Sequence, residues 1–170
     1  LVSSFLAPGL NKRRDRWGGS LTNRARLARQ VASAVREGVG SECAVTAKIS
    51  VSDGYRGGVT TEESIETALL LEGDGHLDAL QLSGGSSLMN PMYLFRGDAP
   101  LVEFREAMPW YLRGGFRLVG KQFLKSYPYE EAFFEEKASR FRDELDLPVI
   151  LLGGISNLDT AERAVADGFS

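Results

Sequence analysis

The run Ala44-Val45-Thr46-Ala47-Lys48-Ile49-Ser50 carries a lysine on an alternating, strand-like pattern. Side chains alternate along a strand, so Val45, Ala47 and Ile49 share one face and Thr46, Lys48 and Ser50 the other. An ammonium on a sheet face requires an anion, a hydrogen-bond acceptor or water. A cofactor oxyanion or an electron-rich ring edge would satisfy Lys48; so would a neighbouring carboxylate, or an escape to solvent at the strand end. Two further apolar runs end in glycine pairs, Leu82-Ser83-Gly84-Gly85 and Leu152-Gly153-Gly154-Ile155. Glycine after a strand lets the backbone approach a ligand closely, and free N–H groups at such a turn hold phosphates. Tight strand-to-helix turns also use glycine for steric reasons alone, so both readings of Gly153–Gly154 stay open. Ser156 is placed to cap the next helix, whose positive end would favour an anion there.

Other chemistry-bearing residues fall into blander patterns. Lys12 to Arg36 is basic apart from Asp15 and Glu37 beyond it, but lacks the interleaved aromatics of a base-stacking surface, which favours a solvated helix face and an arginine-braced loop. Arg113, Arg117, Lys121 and Lys125 recur every four residues, forming a basic stripe if helical. Such a stripe meets solvent or a dinucleotide phosphate. Cys43 and His76 precede strands and do not make a nucleophile–base pair by spacing. Asp53, Asp78 and Asp159 read as turn or cap residues. No Walker-type loop or dinucleotide fingerprint occurs, and no catalytic residue is assigned.

Alternating strand and helix signals must position these groups. Helix periodicity runs over about 21–37, with Ser20 as cap and Gly38 and Gly40 beyond the end. A strand follows at 44–50. Thr60 and Glu63 form a capping-box pair for a helix over about 61–72. The next strand is 79–83, followed by an irregular stretch to Tyr127 with room for one or two helices. A helix over about 129–145 carries the apolar stripe Phe134, Ala138, Phe141 and Leu145. A short strand at 148–152 and a helix from Ser156 to Ala166 complete the pattern. Strands alternating with helices predict an α/β fold with parallel strands. Without internal repeats or linkers, the 170 residues read as one domain.

Composition narrows the function classes. A net charge of −3 supplies no general attraction to nucleic acid or an anionic membrane. The single cysteine excludes an internal disulfide framework and a Cys-rich zinc or iron–sulfur site within this sequence. No apolar run reaches the roughly 20 residues of a membrane-spanning helix, and no signal peptide pattern is present. A cytoplasmic, reducing compartment is expected.

The segment Phe5-Leu6-Ala7-Pro8, followed by Asn11-Lys12-Arg13-Arg14-Asp15-Arg16-Trp17-Gly18-Gly19-Ser20-Leu21-Thr22-Asn23-Arg24, resembles the signature of the old yellow enzyme group, the NADH:flavin oxidoreductases. Trp17 stands where that family usually has Tyr or Phe. The resemblance extends through Ser83-Gly84-Gly85 and Gly153-Gly154, while 92–134 looks like a subfamily elaboration. It implies a (β/α)8 TIM barrel that binds FMN and passes hydride from NADH or NADPH through the flavin to an activated alkene or similar small-molecule substrate. In family terms, Lys48 takes the place of an Arg beside the N1/C2-carbonyl edge of the flavin, Gly153 and Gly154 hold the FMN phosphate, and Ser83 is a further cofactor contact.

The resemblance further implies that residues 1–170 are the C-terminal portion of one FMN-binding TIM-barrel domain. This would be a partial barrel, incomplete at both ends, with an elaborated loop at about 86–127. The family's substrate-anchoring His-x-x-His or His-x-x-Asn pair is expected upstream of Leu1, and a second phosphate-binding Gly-Arg pair beyond Ser170. On this reading the segment alone is inactive, acts with no nucleic acid or membrane, and belongs to a protein that could form a homo-oligomer. A multidomain FMN/iron–sulfur enzyme like the dienoyl-CoA reductases and a non-catalytic ligand-binding barrel fragment are the alternatives.

Overall fold

The computed structural model describes residues 2–170, without the side chains of residues 122 and 123; Leu1 lies outside the described residues. A short helix α1 (Val2–Leu6) leads into α2 (Leu21–Val39), and strands and helices then alternate as β1 (Thr46–Ser50), α3 (Thr61–Gly73) and β2 (Ala79–Ser83). The insertion folds as α4 (Met92–Phe95), α5 (Leu101–Ala107) and α6 (Trp110–Phe123), before α7 (Glu135–Glu144), β3 (Val149–Ile150) and α8 (Leu158–Ala166). The three strands form a parallel sheet in the order β1-β2-β3.

Local sequence explains the element ends. Ser20 accepts a hydrogen bond from the Asn23 N–H at the start of α2, and Gly40 (φ 67°) ends it. Thr60 caps α3 by accepting from the Glu63 N–H. Only half of the expected capping box forms, because the Glu63 carboxylate turns to Arg24 instead. Arg24 is 4% exposed and also donates to the Leu6 and Gly19 carbonyls, so the acidic partner answers a buried guanidinium.

The densest motif of the sequence is thereby explained as architecture. Asn11 Nδ2 donates to the Phe5 and Trp17 carbonyls, Asn23 Nδ2 to Gly18, and Asp15 accepts from the Trp17 N–H. A Cβ on Gly18 would stand 2.3 Å from the Arg13 carbonyl oxygen. These contacts lock the α1–α2 connection, and the basic run is a braced loop.

Register divides the sheet into two faces. Lys48 pairs with Gln81, and Gln81 with Ile150, so Lys48, Gln81 and Ile150 share a face with Ser50 and Ser83. The opposite face carries Ile49, Leu80, Leu82, Val149 and Leu151, all buried in one core with Ala68 and Leu71 of α3 and Ala138 and Phe141 of α7. The apolar side of β1 thus meets the helices, as its alternation predicts. Three cross-links brace the far end of the sheet: Arg29 to Asp74 at 2.7 and 2.6 Å, Arg36 to Asp78, and Asp78 to the Val45 N–H.

Several predicted boundaries change. The helix expected over 129–145 begins at Glu135, because residues 131–134 form a turn in which Ala132 has a positive φ of 52°. Phe134 therefore packs as a wedge below the sheet end. The strand expected at 148–152 pairs over only Val149–Ile150, since Gly153 (φ 124°) and Gly154 (φ 75°) turn the chain away. Asn157, not Ser156, caps α8, accepting from the Thr160 N–H. The insertion holds three helices with a small core of its own around Met92, Phe116 and Leu124. Arg113, Arg117 and Lys121 lie exposed on α6, with Lys125 exposed beyond its end.

Candidate functional site

The face of the sheet opposite the helices is where the candidate residues meet. Lys48 and Ser83 line one cavity of ≈ 500 Å³ with Ser50, Asp53, Gly84 and Gly85. Lys48 also lines a second cavity of ≈ 560 Å³ with Gly153, Gly154, Tyr129 and Phe133. Leu94, just inside α4, borders both cavities. Lys48, Ser83, Gly153 and Gly154 thus surround two adjoining spaces at the C-terminal ends of the strands, where α/β proteins build ligand sites.

Lys48 is exposed, and its side chain forms no hydrogen bond or ion pair with any described residue. The carboxylate-paired reading of this lysine therefore does not hold; its amine faces the open side of the sheet. Ser83 is 8% exposed, and its carbonyl accepts from the Val51 N–H at 2.7 Å. That contact fixes the strand end while the Ser83 side chain faces the cavity shared with Lys48. The N–H groups of Gly153 and Gly154 donate to no described residue. Unpaired backbone donors beside a cavity are the groups an anion would satisfy.

Both glycine pairs also carry the steric role open in their sequence. A Cβ on Gly84 would lie 2.1 Å from Phe134 Cζ, and one on Gly153 2.7 Å from Phe134 Cδ2. At Gly154 it would meet the Glu130 carbonyl at 2.8 Å and Phe133 Cδ1 at 2.6 Å. Phe134 thus forces small residues on two successive strand ends at once.

An anion from the chain itself binds just ahead of α8. Glu131 accepts from the Ser156 N–H at 2.8 Å, the Ser156 hydroxyl at 2.6 Å, Asn157 Nδ2 at 3.0 Å and the Tyr129 hydroxyl at 2.8 Å. Hydrogen bonds from Ser156, side chain first and backbone second, hold its carboxyl down from the ordinary 4.5 to about 2. Glu131 thus brings a negative charge to the residues just before α8, beside the corner where the next helix was expected to favour a ligand anion. Anion binding at this corner falls to the Gly153 and Gly154 amides. Sequence gave no sign of this role, because Glu131 sits in a segment whose periodicity reads as the first turn of a helix.

Asp53 keeps its predicted turn role by accepting from the Val59 N–H at 2.9 Å. It also borders the Lys48–Ser83 cavity, and burial pushes its carboxyl up. Cys43 is exposed and free; His76 offers its carbonyl to Arg36. Both lie at the opposite end of the strands from the cavities. Among the described residues, His, Cys, Asp and Glu form no group able to hold a metal ion, and no helix is long and apolar enough to cross a membrane.

Comparison with known proteins bears on what this arrangement serves. A model of the NADH:flavin oxidoreductase / NADH oxidase family matches residues 1–82. The chain is 50% identical over 169 residues to the 4,4'-dithiodibutanoate disulfide reductase of Rhodococcus erythropolis, covering 99% of this chain and 42% of that protein. It is 29% identical over 168 residues to the multifunctional alkene reductase/demethylase OYE of Caballeronia cordobensis, covering 99% of this chain and 20% of that protein. Among solved structures, a 2-naphthoyl-CoA reductase complex matches with a TM-score of 0.68 at 24% identity, over 99% of this chain and 21% of that one. The old yellow enzyme homologue from Zymomonas mobilis matches with a TM-score of 0.60 at 19% identity, over 99% and 37% of the two chains. These structures establish likeness of fold. Residues 1–82 thus match the NADH:flavin oxidoreductase / NADH oxidase family, and the chain over nearly its whole length is similar to proteins named as reductases. It spans less than half the length of the curated relatives above.

Proposed function

We propose that this segment is part of an FMN-dependent oxidoreductase and forms about half of its (β/α)8 barrel, with the open sheet face as barrel interior. The single observation that carries this reading is the convergence of an unpaired lysine, a serine and two unpaired glycine amides on adjoining cavities at one end of the sheet. The donor set suits FMN, with the Gly153 and Gly154 N–H groups for the phosphate and Lys48 as a fixed positive charge for the ring edge. When bound, FMN supplies the redox chemistry that links NADH or NADPH to the acceptor.

This chain's own residues bind and orient. Lys48 places a positive charge where an electron-rich ring edge gains electron density, a point charge in place of the planar fork of an arginine. Gly153 and Gly154 anchor the far end through the backbone, without a side chain that Phe134 would reject. Ser83 presents a polar group between the two. Proton delivery to the acceptor is assigned to no residue of this segment.

Two acceptor classes fit such an enzyme. An activated alkene takes a hydride at one carbon and a proton at the other. An organic disulfide is the second reading, favoured by the name of the relative that shares half of its aligned residues. There NAD(P)H and one proton yield two thiols and NAD(P)+, with the S–S bond broken. The test is spectroscopic, on the full-length protein. A flavin absorbance bleached by NADH or NADPH without oxygen, and restored by an enone or a disulfide, is the expected result. A full-length protein that binds neither FMN nor riboflavin would overturn the proposal.

A further inference from the structure

We infer that Arg96 is an anion-recognition residue of this same site, taking a carboxylate or phosphate group at the cavity that holds Gly153 and Gly154; the inference rests on the flavoenzyme reading above. Arg96 lies at the end of α4, where its φ of 59° is in the left-handed region that residues with a Cβ seldom adopt. Its backbone is clamped from both sides. The Arg96 N–H donates to the Met92 carbonyl at 3.0 Å, and Gly97 and Tyr127 exchange backbone hydrogen bonds at 2.6 and 3.3 Å. The strained conformation is thus imposed by the surrounding fold, which fixes where the side chain emerges.

That side chain enters a cage of four rings. The guanidinium carbon lies 5.2 Å from the ring centroids of Tyr93 and Tyr127, 4.4 Å from Phe133 and 5.6 Å from Phe134. Ring faces attract the cation but accept little from N–H groups in the guanidinium plane. Arg96 Nε is buried without a hydrogen-bond partner, and no described carboxylate pairs with the group. Arg24 and Arg36, by contrast, each have acidic and carbonyl partners. A half-buried guanidinium whose Nε has no acceptor among the described residues can take a planar anion, and carboxylates and phosphates match its fork.

The cage adjoins the glycine amides. Phe133, over which Arg96 stacks most closely, is the ring that borders Gly153 and Gly154 and lines their cavity. Leu94 and Phe95, immediately before Arg96, line that cavity too. An anion there has two sources, the FMN phosphate or a carboxylate on the acceptor.

Arg96→Gln and Arg96→Lys in the full-length protein separate them. One arm measures binding of FMN and of riboflavin to the apoprotein. The other measures KM and kcat for 4,4'-dithiodibutanoate and for its dimethyl ester. A tenfold or greater loss of FMN affinity with riboflavin unchanged identifies the phosphate. A tenfold or greater rise in KM for the diacid, with kcat and the diester KM within twofold, identifies the carboxylate. Arg96→Lys keeps the charge and should restore part of either loss. If charged and neutral members of both pairs respond alike, the inference is overturned. Should Arg96→Gln fail to fold, Arg96→Lys decides alone: a selective loss of three-fold or more against one charged member supports the inference, and equal responses overturn it. Wild-type protein that binds neither flavin defeats the flavoenzyme reading and this inference with it, whereas normal flavin binding with anion-blind Arg96 variants defeats the inference only.

Discussion

The two faces of the three-stranded sheet differ in kind. On the helix side, Ile49, Leu80, Leu82 and Val149 are all at or below 7% exposure and lock into α3 and α7. On the other side, the Lys48 amine has no partner among the described residues, and the unpaired amides of Gly153 and Gly154 lie beside a cavity. One face is complete, and its residues serve stability. The other presents polar groups without partners among the described residues, the groups that the proposed cofactor would engage. Stability and ligand chemistry are therefore separable by substitution.

The largest effect is expected where the two faces meet. Phe134 is fully buried and underlies both Gly84 and Gly153. Truncating it to alanine removes a large apolar volume that cannot collapse without moving two strand ends. Phe134→Ala should cost about 3–5 kcal/mol in denaturant unfolding. A loss below about 1 kcal/mol would show that the glycine turns do not depend on it, and the division between the faces would blur.

A smaller effect is expected at Glu131, which ties the 129–134 turn to the start of α8. Its folded carboxyl titrates at about 2, below the ordinary 4.5. A depressed value means that the ionised form stabilises the fold above the unfolded pKa, and that this contribution is lost as pH falls through about 2. Glu131→Gln should therefore lower the thermal midpoint at pH 6–7, with the gap to wild type narrowing from about pH 4.5 downward. A pH-independent gap would mean that shape, not charge, holds the turn. Because Glu131 accepts from Ser156 and Asn157 and not from the Gly153 or Gly154 amides, the same variant should leave anion binding at Gly153–Gly154 intact.

Legibility in the sequence followed the same division. The covered face was readable because burial imposes periodicity: β2 at 79–83, α2 from Leu21 and the stripe Phe134, Ala138, Phe141 and Leu145 all emerge from apolar spacing alone. Lys48, Gly153 and Gly154 were singled out because strand alternation and glycine pairs are local signals, and Ser83 through the resemblance; the fold places all four beside adjoining cavities. Arg96 was not singled out. Its four rings come from positions 93, 127, 133 and 134, which only the folded insertion brings together. Glu131 was missed for a related reason: a positive φ at Ala132, which no glycine advertises, converts an expected helical turn into a loop. The three helices of the insertion pack on a separate small core, so their periodicity answers to one another rather than to the sheet.

The smallest effect on stability is expected at Lys48, and it is the sharpest test of the contrast. The side chain is exposed and makes no hydrogen bond or ion pair with a described residue, so Lys48→Ala should change unfolding stability by no more than about 0.5 kcal/mol. Its proposed work is electrostatic. Removing a positive charge about 4 Å from a ring that gains electrons disfavours the reduced state by about 1–4 kcal/mol, between the bulk-water and near-surface dielectrics. For a two-electron couple that is roughly 20–90 mV, read as a more negative reduction potential of the flavin in the full-length protein. Lys48→Arg retains the charge and should stay close to wild type. A potential unchanged in Lys48→Ala would remove the lysine from the flavin site, whereas a large loss of stability would place it on the structural side of the sheet.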